Sequence, residues 1–167
     1  MKRIPIALLL LCASISAAQF EGFYKSIDDK TGNAKSIIRL YECGGALCGR
    51  VVALYDEKGT KIEETLSAPS RVADKVEGSP KMAGLDIIWN MKWDKKEYSG
   101  GKILDPKSGS IYSCVIWQDK DNANLLRVRG KIGPIGRTQV WQVFDANNLP
   151  ADLKNLDVSK WTPKISK

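Results

Sequence analysis

Between Gly100 and Trp141 the chain reads as consecutive strands joined by tight turns, with no helix and no catalytic motif among them. The first strand, Gly100-Gly101-Lys102-Ile103-Leu104-Asp105, runs into Pro106-Lys107-Ser108-Gly109. Pro106 presets φ for a central turn position, and Gly109 can leave the turn with positive φ. Ile111 to Gln118 is a strand, Asp119 to Asn124 a polar turn, and Leu125 to Lys131 alternates again. Gly133-Pro134-Ile135-Gly136 turns the chain a last time, and Arg137 to Phe144 closes the run. Strands linked this closely pair antiparallel with their neighbours, so the stretch is an up-and-down meander.

The preceding residues extend the pattern. Phe20 to Ser26, Ser36 to Glu42, Val51 to Tyr55 and Ala83 to Trp93 read as strands, separated by the turns Asp28 to Asn33, Gly44-Gly45 and Asp56 to Gly59. From Lys61 to Lys81 apolar residues are sparse, and Pro69, Gly78 and Pro80 break any long element, so a partly irregular connection is expected there. After Phe144, Asn147-Asn148-Leu149-Pro150 precedes Ala151 to Leu156, which predicts a short C-terminal helix. About eight antiparallel strands leave two edges, and closure into a barrel removes both. The fold expected is an all-β, antiparallel up-and-down barrel of about eight strands with a short C-terminal helix. A barrel of that size is filled by side chains or holds one small ligand.

Two segments carry a resemblance: GGKILDPKSGSIYSC, residues 100–114, and LLRVRGKIGPIGRTQVW, residues 125–141. They resemble the core pattern of a secreted bacterial domain-of-unknown-function family, DUF2147, whose fold is similar to lipocalins and other calycins. The resemblance implies a lipocalin-like barrel and an exported protein, and it implies no particular ligand. Gly22-Phe23-Tyr24 is similar to the Gly-x-Trp start of lipocalins, with tyrosine in the place of tryptophan. Arg137 would then take the part of the lipocalin arginine that packs over that ring.

The N-terminus has the make-up of a signal peptide over residues 1–18: Lys2 and Arg3, an apolar run Ile6 to Leu11, and the small residues Ser16-Ala17-Ala18. Leu11 stands where a lipid anchor on Cys12 would need a small residue, so no acylation is expected. No later segment approaches the length of a membrane-spanning helix. The expectation is one exported domain, residues 19–167, secreted or periplasmic, as a monomer or weak dimer. The formal charge of +7 falls to +5 with the loss of Lys2 and Arg3, and its lysines and arginines are scattered without a basic run. That distribution points to solubility and mild attraction of anions, not to nucleic acid. Export permits disulfides. If Gly44 to Leu47 form the hairpin loop, Cys43 faces Cys48 across the ladder at a distance a disulfide accepts, whereas a two-residue Gly44-Gly45 turn sets Cys43 opposite Ala46. A Cys43–Cys48 disulfide is expected, with Cys114 a free, buried thiol on a strand.

The chain contains no histidine. That removes the Ser-His-Asp and Cys-His nucleophile systems and histidine general bases. The acid pairs Asp28-Asp29, Glu63-Glu64 and Asp119 with Asp121 fall in turns or polar connections, where carboxylates are ordinarily solvated. Asp119 to Asn124 lacks the glycine and closing glutamate of a calcium loop. Gly130, Gly133 and Gly136 are flanked by strands, with no helix start to hold a phosphate. No enzyme activity, cofactor or metal is expected.

Five aromatics on strands, Tyr41, Trp89, Tyr112, Trp117 and Trp141, are candidates to line a lumen. Arg127, Arg129 and Arg137 are candidates to meet an anionic group. On the strand from Leu125, Arg127 and Arg129 share one face, and Leu126 and Val128 the other. If the leucine and valine point inward the arginines are solvated; if the arginines do, two guanidinium groups in the lumen require an anion. The function expected is an exported binding protein holding a small, largely apolar or amphipathic ligand, acidic at one end. The alternative is a cell-envelope protein-interaction module whose barrel is filled.

Overall fold

Alternation of period two carries the chain once around a closed sheet. The computed structural model describes residues 19–167. Its strands are β1 (Gly22–Ile27), β2 (Ala34–Glu42), β3 (Leu47–Tyr55), β4 (Ile62–Thr65), β5 (Asp86–Trp93), β6 (Glu97–Asp105), β7 (Ser110–Gln118), β8 (Leu125–Ile132) and β9 (Ile135–Phe144). Every pairing is antiparallel, and β9 returns to β1 through Phe23↔Phe144 to Ser26↔Trp141. Eight strands close the barrel. β4 is the extra one: β3 pairs with β5 over Leu47 to Arg50, then with β4 over Ala53 to Tyr55. This short strand lies inside the connection that the sequence leaves irregular. The signal peptide expected over residues 1–18 falls outside the described residues.

The alternation resolves the two faces of β8. Leu126 and Val128 are 2% and 1% exposed and sit in the main apolar cluster with Trp141 and Ile116, their neighbours on β9 and β7. Arg127 and Arg129 therefore point outward, while Lys131, beside the β8–β9 turn, borders the barrel's rim. Apolar side chains inside and cations outside reverse the pattern of a membrane-spanning barrel, whose lipid face is apolar.

A second apolar cluster lies on the outer wall, where Leu149 and Leu153 cover Ile37, Val52, Ala53 and Tyr55. The short C-terminal helix expected from Ala151 is present, as 3-10 turns and not as an α-helix. Ala146–Asn148, Ala151–Leu153 and Val158–Lys160 are single 3-10 turns. Pro150 supplies no side-chain cap and Asp157 already caps the next turn, so no stretch is long enough to repay helix nucleation. The end of the chain is pinned by Asp86, which is 2% exposed. Its carboxylate accepts from Arg50 Nε and Nη2, each at 2.9 Å, and from the Lys164 N–H at 2.8 Å. The Arg50 guanidinium also lies 4.4 Å from the centroid of the Trp161 ring.

Cys43 and Cys48 form the expected disulfide, with Cα atoms 5.9 Å apart, and Cys114 is free and buried. The register is the other of the two weighed. Gly44 and Gly45, with φ of 63° and 79°, make a two-residue turn, and the Cys43 N–H donates to the Ala46 carbonyl. The bridge therefore joins cysteines that are not direct partners, since Cys48 pairs with Tyr41.

Candidate functional site

One end of the barrel is packed and the other is open. At the packed end Leu40, Leu47, Met91, Ile116 and Leu126 are 0–2% exposed, and Phe20 meets Trp93 and Tyr98 edge-on. The open end, framed by the β1–β2, β3–β4, β6–β7 and β8–β9 turns, holds a cavity of about 680 Å³. Ile38, Val51, Leu54, Ile87, Leu104 and Val128 line its apolar wall, with the aromatics Tyr55, Tyr112 and Trp141. Tyr112 and Trp141 face inward because Tyr112 follows the parity of Cys114 and Ile116 on β7, and Trp141 pairs with the inward Leu126 and Ser26.

Polar groups that the sequence reading did not single out share this space. The Ser26 and Ser36 hydroxyls lie 2.7 Å apart, and the Trp141 indole N–H donates to Gln139 Oε1 at 3.3 Å. Both serines and Gln139 occupy positions where the inward parity places a polar residue, which is the signal that could have flagged them.

Charges of both signs ring the mouth, with Asp28, Asp56, Glu57 and Asp105 among the cations. Lys35 bridges Asp28 at 2.5 Å, Arg71 bridges Glu63 and Glu64, and Arg137 bridges Asp29. Lys107 and Lys131 also line the mouth, and neither has an ion-pair partner among the described residues. The hydrogen bond from Arg137 holds the Asp29 carboxyl below the usual carboxylate range.

Of the eight residues proposed from sequence to line a lumen, Tyr112, Trp141 and Arg137 border the cavity. Arg137 does so at the rim, half exposed, and it does not cover the first-strand aromatic; the cation over that strand is Arg39, 5.1 Å from the Phe23 ring centroid. The other five stand elsewhere. Tyr41 is buried beneath the C-terminal segment, its hydroxyl donating to Asp86 at 3.3 Å and its ring 5.1 Å edge-on to Trp161. Burial, then the Asp86 charge, pushes its hydroxyl up to about 12. Trp89 is packed into the core without reaching the cavity. Trp117 and Arg129 border a shallow depression on the outer surface with Lys96 and Val115. Arg127 Nε donates to Asp119 at 2.6 Å, outside the barrel. The outward set is one consequence of pleat: Trp117 pairs with Arg127, so both share the outer face.

A family model described as "Uncharacterized protein conserved in bacteria (DUF2147)" matches residues 22–143, from the start of β1 into β9. The chain belongs to DUF2147. Its fold matches a solved structure described as "Protein HP1028 from the human pathogen Helicobacter pylori belongs to the lipocalin family", with a TM-score of 0.54 over 77% of this chain and 84% of that one. The two are 19% identical, so the likeness is one of fold. The comparison with curated proteins gives no match. The open end of this DUF2147 barrel has the volume of a small-molecule site.

Proposed function

We propose that this DUF2147 protein is an exported carrier. It holds a small, elongated apolar molecule in the open half of the barrel, without transforming it, and leaves the molecule's acidic head at the mouth. The single observation that carries the reading is the cavity of about 680 Å³, apolar within, whose rim sets Lys107 and Lys131, which have no ion-pair partner among the described residues, among the carboxylates of Asp28, Asp56, Glu57 and Asp105. That volume falls within the range of small-molecule sites, and apolar burial contributes roughly 25 cal/mol per Å². The head is assigned to Lys107, Lys131 and Arg137 in place of Arg129, whose guanidinium lies on the outer face. Export is supported by the disulfide, which persists in oxidising compartments.

The test is tryptophan fluorescence on titration with palmitic acid and with its methyl ester. Quenching is expected for both, tighter for the acid, and Trp141→Phe should remove most of it, because Trp141 is the tryptophan at the cavity. Lys107→Ala/Lys131→Ala/Arg137→Ala should lose the preference for acid over ester. Absence of quenching by fatty acids, bile acids and porphyrins alike would overturn the carrier reading in favour of an interaction module.

A further inference from the structure

The β8–β9 hairpin ends in Ile132-Gly133-Pro134-Ile135, and its two isoleucines are direct ladder partners. They are 67% and 78% exposed, the most exposed large apolar side chains among the described residues. Scattered apolar residues need no explanation, but these two form one tip. They also border the cavity, so the tip stands at its mouth. The hairpin itself carries charge of one sign, although Asp28, Asp29 and Asp105 stand near Arg137. Residues 122–144 carry Arg127, Arg129, Lys131 and Arg137 and no carboxylate. Asp119 neutralises Arg127 and Asp29 neutralises Arg137. Arg129 hydrogen-bonds only the neutral Thr138 hydroxyl, at 3.2 Å, and Lys131 stands next to the tip without an ion-pair partner among the described residues.

We infer that this hairpin docks on an anionic lipid bilayer. Ile132 and Ile135 enter the headgroup–acyl boundary, Arg129 and Lys131 face the lipid phosphates, and the cavity mouth opens against the membrane surface. An apolar tip flanked by cations is the combination that binds such interfaces, apolar burial and attraction to anionic lipid adding together. Gly133-Pro134 keeps the tip tight, and the opposed isoleucines enter as a pair. The docking goes beyond the carrier reading and stands whether or not the lumen holds a ligand.

Flotation with vesicles of equal parts phosphatidylcholine and phosphatidylglycerol tests it, with vesicles of phosphatidylcholine alone for comparison. The purified protein is expected to float with the anionic vesicles, weakly with the neutral ones, and less as salt rises. Ile132→Ser/Ile135→Ser should lower partition to anionic vesicles about a hundredfold, roughly tenfold for each isoleucine. Arg129→Gln/Lys131→Gln should abolish the preference for anionic lipid. Each substitution is on the surface, and an unchanged thermal midpoint shows that the fold is intact; Val143→Ser, at another exposed apolar site, should bind like wild type. The inference is overturned if wild type does not float, or if the isoleucine variant floats like wild type, which would leave charge adsorption alone. It is equally overturned if the isoleucine variant abolishes a dimer in sedimentation while wild type ignores vesicles, since the tip then serves self-association.

Discussion

At the scale of single residues, carboxylates that look like spare acids in the sequence are fastenings. Glu64 accepts the N–H groups of Ser70 and Arg71 at 2.8 and 2.9 Å and the Arg71 Nε at 2.6 Å, tying β4 to the connection that follows it. Burial works to raise its pKa, but these hydrogen bonds outweigh it and bring the value to about 2, against an ordinary 4.5. A carboxylate whose pKa drops on folding adds stability that is fully present above the unfolded pKa and is lost as pH falls through the folded one. For Glu64 that window runs from 4.5 down to about 2. We expect the urea midpoint of wild type to exceed that of Glu64→Gln at neutral pH, and the gap to close across this window. Midpoints that fall in parallel would refute the assignment.

At the scale of elements, the β2–β3 hairpin and the middle of β7 divide the cysteines by role. A bridge closing so short a loop, with a sequence separation of 5, stabilises by about 2 kcal/mol on chain-entropy grounds. Reduction, or Cys43→Ser/Cys48→Ser, is expected to lower the unfolding free energy by about that amount. Cys114 is 1% exposed, and burial pushes its thiol up to about 12. In chains beginning at residue 19, alkylation without reductant should modify no thiol in the native protein and one after denaturation. Three modified thiols, or a fast native reaction, would contradict the arrangement.

At the scale of the whole molecule, the barrel combines a filled half that supplies stability with an open half that supplies volume. On β8 Leu126 belongs to the filled half, and Gly130 lies in the open half. A Cβ built there would lie 3.4 Å from Ile103 Cγ2 and 3.4 Å from Tyr112 Cβ, ordinary contact distances, with the cavity beyond. Gly130→Leu should therefore place its side chain in empty space, at a cost of about 1 kcal/mol or less. Thermal unfolding should change little while the quenching titration with palmitic acid weakens markedly. A loss of several kcal/mol, or unchanged affinity, would mean that the space beyond Gly130 is not the ligand's.

The sequence by itself determined the strands, most of their turns and the closed antiparallel sheet, because alternation and turn chemistry are local; it left two registers open at Gly44-Gly45, and the disulfide forms in the one that does not set Cys43 opposite Cys48. It also determined that Arg127 and Arg129 lie on the face opposite Leu126 and Val128. Which face looks inward was beyond it: a pleat fixes that successive side chains oppose one another, and the direction depends on what lies across the barrel. Tertiary structure decided it by packing Leu126 and Val128 with Trp141 and Ile116, which sent Arg127, Arg129 and Trp117 outside. Tyr41 was misplaced for a related reason, since the outer wall of this barrel is buried too, beneath Leu149, Leu153 and Trp161 from the far end of the chain. The cavity itself is a remainder, the volume left where the turns at one end hold the strands apart and no side chain reaches across. No single residue encodes it.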